Sequence, residues 1–147
     1  MTRILVCGGR DYIRWDLCPR INNNIDKSTE QYKLYYPQWR KLDSVLNSYI
    51  EYTTDGYPTG ELTIISGMAK GVDTAAANWA GVNWFPLLEF HPDWDLYGKA
   101  AGPIRNKRML TEGKPDLVIA FPGGKGTANM VKQATTEGVL VKHYDFD

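Results

Sequence analysis

The segment "DLVIAFPGGKGTANMV", residues 116–131, decides the fold. Its first half, 116–124, is an apolar, β-branched run that reads as a buried strand closed by proline and glycine. Gly123, Gly124 and Gly126 then fall within four positions, and a helical stretch over 126–138 ends on Gly138. A strand, a turn of bare backbone and a helix in immediate succession make one half of a βαβ unit.

Four more strands are expected on either side: "RILVCGG", 3–9; "LTIISG", 62–67; "WFPLLEF", 84–90, interrupted by Pro86; and "GVLVKHYD", 138–145. Helices fall between them. The stretch 37–52 sets Trp39, Leu42, Val45, Leu46, Tyr49 and Ile50 on one face at spacings of three and four. The stretches 71–81 and 103–113 both end at glycine. This alternation predicts an α/β fold: a Rossmann-like, doubly wound, mainly parallel five-stranded sheet with helices on both faces, in the order 3-2-1-4-5. Residues 11–36, with Asn22-Asn23-Asn24 and the pair Tyr35-Tyr36, read as an irregular, aromatic-rich insertion with room for one short helix. Residues 1–147 are expected to form one domain.

Composition narrows the function classes. Seventeen Lys and Arg balance seventeen Asp and Glu, so no global field recruits nucleic acid or an anionic membrane. Cys7 and Cys18 offer neither a disulfide framework nor metal-ligand spacing. No apolar run approaches the ~20 residues of a spanning helix. A soluble cytoplasmic protein without metal or cofactor is the expectation.

Three strands end in turns of small residues, and in an open parallel sheet those ends face a common crevice where the strand order reverses. The candidate ligand-binding residues are therefore Gly8, Gly9 and Arg10 after the first strand, and Ser66, Gly67, Met68, Lys70 and Gly71 after the second. Pro122, Gly123, Gly124, Lys125, Gly126 and Thr127 follow the fourth. Glycine allows close backbone approach, and each helix start adds unpaired N–H groups, a combination suited to phosphate. Neither the Walker pattern nor GxGxxG is present. Between the third and fourth strands, Gly102-Pro103 marks a helix start that aims Arg105 and Asn106 at the crevice, with Lys99, Trp94 and Tyr97 nearby. Lys107 and Lys114 read as solvated. Asp73, in the first turn of its helix, either offsets the helix dipole or contacts a ligand hydroxyl. His91 and His143 lack partner spacing and read as structural, and Cys7 as a small core residue.

"PGGKGT" resembles the PGGxGT signature of the SLOG superfamily, which includes the cytokinin-activating phosphoribohydrolases. "SGMAKGVDTAAANWA" resembles the SGxAxGxD segment of the DNA-processing protein DprA, another SLOG relative. Together with "ILVCGGRDY" and "DWDLYGKAAGPIRNKRM", they are most similar to the stand-alone YspA, YpsA-related branch, over about residues 3–10 and 62–144. The resemblance implies a nucleotide or nucleotide-derived ligand over the glycine turns. Relatives are often dimers, which allows a homodimer here. The phosphoribohydrolases carry an arginine whose place is taken by Arg105, and a glutamate in PGGxGTxxE whose place is taken by Met130.

Three functions follow. The first is binding of a phosphorylated nucleoside or an ADP-ribose-like nucleotide without cleavage. The second is N-glycosidic hydrolysis of a nucleoside monophosphate, with Asp11, Asp73, Asp93 or Asp95 supplying the missing acid. The third is DprA-like binding of single-stranded DNA, disfavoured by the zero net charge.

Overall fold

The structure is a computed structural model that describes residues 2–14 and 24–147. Cys18 and Asn22-Asn23 lie outside the described residues. The strands are β1 (Thr2–Cys7), β2 (Leu62–Ser66), β3 (Leu87–Glu89), β4 (Leu117–Ala120) and β5 (Leu140–His143). All pair in parallel in the order β3-β2-β1-β4-β5. The chain runs outward from β1 to β3, then returns past β1 and continues through β4 to β5. The reversal falls between β1 and β4, which pair from Ile4 beside Leu117 to Cys7 beside Ala120.

The two-residue period of the strands divides the core in two. Ile4, Val6, Ile64, Leu117 and Ile119 pack on one face under α1 (Glu30–Asn47) and α2 (Val72–Val82). Leu5, Cys7, Ile65, Val118 and Ala120 pack on the other, with Met109 of α4 (Ala101–Thr111) and Met130 and Ala134 of α5 (Lys125–Thr136). With both faces covered, the central strands show continuous apolar runs, as a doubly wound sheet requires. Trp79 of α2 is fully buried, stacks on Phe85 at 5.6 Å and donates its indole N–H to Asp43 of α1 at 2.9 Å.

The boundaries differ from expectation in three places. Helix α1 starts at Glu30, seven residues before Pro37, so the last part of the expected insertion is helical, and it ends at Asn47, so Tyr49 and Ile50 pack on the core from beyond the helix. Thr29 caps it by accepting from the Tyr32 amide, and Tyr32 stacks on Tyr36 one turn later at 4.8 Å. These contacts, with burial of Trp39, Leu42, Val45 and Leu46, offset the cost of an internal proline, about 3 kcal/mol. Helix α4 starts at Ala101, which puts Pro103 in the first turn, where its missing N–H would have had no intrahelical partner. Strand β3 keeps only three residues, because Trp84 turns the chain at φ 62° and Pro86 can accept from Ile64 but cannot donate. Ahead of α4, a single turn, α3 (Trp94–Tyr97), capped by Asp93, leads into a 3₁₀ segment at 98–100.

Candidate functional site

The carboxyl ends of β1, β2 and β4 open onto one cleft of about 1010 Å³, at the upper end of the range for small-molecule sites. Its wall includes Gly8, Gly9 and Arg10 from the first turn and Gly67, Met68, Lys70 and Asp73 from the second. Arg105 and Asn106 of α4 and Gly124, Lys125, Gly126 and Thr127 at the start of α5 line it as well. Ser66 and Gly71 lie buried under the turns, and Pro122 and Gly123 face a neighbouring groove instead of the cleft wall. The Ser66 hydroxyl donates to the Asp73 carbonyl at 2.8 Å and accepts from the Met68 amide at 3.0 Å. The Pro122 carbonyl accepts from Gly9 N–H at 2.8 Å. A Cβ at Gly123 would strike the Thr127 hydroxyl, and one at Gly71, whose φ is +92°, would strike the Gly9 carbonyl. These four residues let the turns stack on one another.

Asp73 joins two of the turns. It is 5% exposed, and its carboxylate accepts backbone N–H groups from Gly8 and Ala69. Burial nevertheless wins and pushes its pKa up to about 6, against the pull of Arg105, those amides and Arg10. Both readings of its role were open, and the observed partners are backbone groups of the two turns. Among the acids considered for hydrolysis, Asp73 lines the cleft; Asp11 and Asp95 lie outside its wall, and Asp93 caps α3. Beside Asp73, burial pushes the Cys7 thiol far above its ordinary range.

Arg105 is braced from both sides. Its Nη1 donates to the Gly67 carbonyl at 2.6 Å and its Nε to the Asn106 side-chain oxygen at 2.9 Å. A Cβ at Gly67 would lie 2.8 Å from the guanidinium, so a glycine there admits the arginine. Asn106, 2% exposed, passes the brace to α5: its amide donates to the Asn129 side-chain oxygen at 3.0 Å and to the Gly126 carbonyl at 3.3 Å. Gln133 also donates to Asn129, at 2.7 Å. Burial lowers the pKa of Arg105, opposed by Asp73, but a guanidinium remains charged.

Two features concentrate positive charge and free donors in the cleft. Arg10, Lys70, Lys99, Arg105 and Lys125 line it against the single carboxylate of Asp73, in a chain whose net charge is zero. Helix α5 starts there at Gly124 without a side-chain cap, and the amides of Lys125, Gly126 and Thr127 have no acceptor among the described residues. Those amides and the helix dipole favour negative charge. At α2 the expectation holds only for the Asp73 amide, because the Val72 and Thr74 amides are taken by the Gly9 and Ala69 carbonyls. Met130 is 1% exposed and lines the cleft from the apolar layer that forms its floor. Sequence reasoning missed Asn129 and His91. His91, exposed at the cleft wall 3.4 Å from a Glu89 oxygen, is the second residue after β3, and that position was the available signal. Among the described residues no cluster of His, Cys, Asp or Glu suits a metal, and no helix is long and apolar enough to cross a membrane.

The profile described as YAcAr, the YspA, cpYpsA-related SLOG family, matches residues 2–97. The Gene 61 protein of Mycobacterium phage D29 is 35% identical over 91 residues, which cover 56% of this chain and 71% of the phage protein. The X-ray structure of DNA processing protein A (DprA) from Streptococcus pneumoniae superposes on 97% of this chain with a TM-score of 0.61 at 20% identity. This chain spans 50% of that one, and the likeness is one of fold. The chain belongs to the YspA, cpYpsA-related SLOG family.

Proposed function

We propose that the cleft binds a phosphorylated nucleoside and holds it without cleaving the N-glycosidic bond. The observation that carries this reading is the convergence of five cations and the free amides of α5 on one cavity whose single carboxylate is already engaged by backbone. A phosphate over Gly124–Thr127 would accept from those amides and from Arg105, while the indole of Trp94, 52% exposed in the same wall, is placed to stack on a base. Helix-terminus and charge-assisted contacts together are worth about 2–4 kcal/mol, a preference of roughly 30- to 1000-fold for the phosphorylated ligand.

Retention without cleavage rests on Met130. Breaking the bond builds positive charge on the sugar, and a positioned carboxylate stabilises that charge and activates water. A thioether does neither, and Asp73 has its oxygens committed to Gly8 and Ala69. The buried free thiol of Cys7 suits a cytoplasmic setting.

The test is calorimetric titration with AMP and adenosine, followed by assay for ribose 5-phosphate. AMP should bind at least tenfold more tightly than adenosine and be recovered intact. No binding of AMP, or equal affinity for both, would overturn the reading of the cleft; rapid release of ribose 5-phosphate would overturn retention alone.

A further inference from the structure

Four residues other than glycine hold a left-handed backbone among the described residues: Ile13, Met68, Trp84 and Lys114. Ile13 is locked in the core, and Trp84 and Lys114 follow the ends of α2 and α4, where such a residue commonly stops a helix. Met68 has neither reason. Its φ of 58° carries a steric cost that glycine would escape, and the same turn already uses glycine at 67 and 71. The side chain is partly exposed, belongs to neither core cluster and lines the cleft. The backbone around it is pinned: the Met68 amide donates to the Ser66 hydroxyl at 3.0 Å, and the Gly67 carbonyl accepts from Arg105 at 2.6 Å. Strain held this firmly, at a side chain the core does not use, points to a contact made in the cleft.

Sheet order says which part of a ligand that contact meets. The turn of Met68 follows β2, beside the segment after β3 that carries Pro92 and Trp94. Two strand spacings, about 10 Å, separate β2 from β4, whose turn leads into α5. A nucleotide with its phosphate over α5 therefore lays its base towards Met68 and Trp94. We propose that Met68 forms the base subsite together with Trp94, its thioether packing on the ring of the base. The inference rests on the nucleotide reading of the cleft and adds the direction of the ligand and the residue that fixes it. A polarisable thioether packs on an aromatic ring without reading its edge, so Met68 selects for a base and not among bases.

The test is calorimetric titration of AMP and ribose 5-phosphate into wild type, Met68→Ala, Met68→Gly and Met68→Leu, with urea midpoints read by circular dichroism. Alanine keeps the left-handed strain and removes the thioether, so Met68→Ala should bind AMP about fivefold or more weakly at an unchanged midpoint. Met68→Gly should lose as much affinity while its midpoint rises, because the strain goes with the side chain. Met68→Leu, which keeps an apolar side chain of similar volume, should hold its AMP affinity within about twofold of wild type. Ribose 5-phosphate, which has no base, should bind wild type and Met68→Ala alike. Undiminished AMP affinity in Met68→Ala, a loss confined to Met68→Gly, no rescue by leucine, or an equal loss for ribose 5-phosphate would refute the base contact and leave the cleft reading standing. A midpoint that falls in Met68→Ala would make the side chain structural and refute it as well. Failure of AMP to bind wild type would overturn the nucleotide reading itself.

Discussion

Replacing Asp73 by asparagine should change how stability depends on pH. In the folded protein burial raises the Asp73 pKa from 3.8 to about 6. Below pH 3.8 the folded and unfolded chains both carry the proton, and the contribution to stability is at its fullest. As the pH rises towards 6 the unfolded chain releases the proton first, so folding becomes progressively less favourable, and above 6 the loss is complete. About two pKa units at about 1.36 kcal/mol each give a fall of about 3 kcal/mol across this window. The buried carboxylate is thus a standing cost at neutral pH, offset elsewhere in the fold and retained where it ties Gly8 and Ala69 together.

Asparagine copies the shape of the neutral acid and has no charge to bury. It offers a single oxygen to two backbone donors, so it also brings a constant loss of about 1–3 kcal/mol. The diagnostic quantity is therefore the slope. Urea unfolding of both proteins followed by circular dichroism from pH 4 to pH 7.5 should show wild type losing about 2.5 kcal/mol relative to the variant, with the change centred near pH 5. Every other carboxylate titrates in both proteins and cancels in the difference. Parallel curves would refute the reasoning and place Asp73 in a wetter environment than its 5% exposure allows. A phosphate in the cleft would raise the Asp73 pKa further, so near pH 6.5 wild type should take up more protons, or release fewer, on binding AMP than Asp73→Asn, in which the phosphate's own ionisation remains. Calorimetry in two buffers of different ionisation enthalpy measures that difference.

The remaining expectations concern the same walls. Gly124→Val should fold normally, because a side chain there meets nothing within 4 Å, and should lose AMP binding by calorimetry because it occupies the phosphate position. Arg105→Ala should weaken AMP binding by about 1.5–3 kcal/mol and adenosine binding far less; equal losses would mean that the guanidinium does not meet the phosphate. Single-stranded oligonucleotide should bind, by fluorescence anisotropy at physiological salt, no more tightly than roughly 10⁻⁴–10⁻⁶ M, and tighter binding would move DNA to first place. Met130→Glu should unfold about 3–5 kcal/mol more easily in urea than wild type and still release no more than a trace of ribose 5-phosphate from AMP, because it buries an unpartnered carboxylate.

The topology was legible because each strand is bounded by chemistry that local sequence records. β-branched runs closed by glycine located β1, β2 and β4, and the crossover rule then ordered the sheet. Helix α1 was misread at its start because Pro37 looks like a beginning; a Thr29 cap and a pair of stacked tyrosines outweigh that signal. The short turn α3 escaped notice because it is held by Asp93 and carries no apolar period. In the site, backbone geometry was readable and side-chain coupling was not. Glycines announce where the chain must pass closely, but nothing in the spacing of Arg105, Asn106 and Asn129 reveals that they hydrogen-bond in series between α4 and α5.

Met130 shows where the two kinds of reading meet. Sequence marks it as the place of a missing acid, and the structure adds that the side chain packs with Leu5, Cys7 and Met109 in the apolar layer beneath the cleft. A glutamate at such a position needs donors to keep it charged and aimed, and the nearby polar groups are already engaged: Asn106 with Asn129 and Gly126, and Asp73 with Gly8 and Ala69. The absent acid and the apolar packing around Met130 therefore go together. Restoring one residue restores neither the donors nor the geometry, whereas the wall proposed to hold phosphate, built from backbone amides and Arg105, does not depend on it.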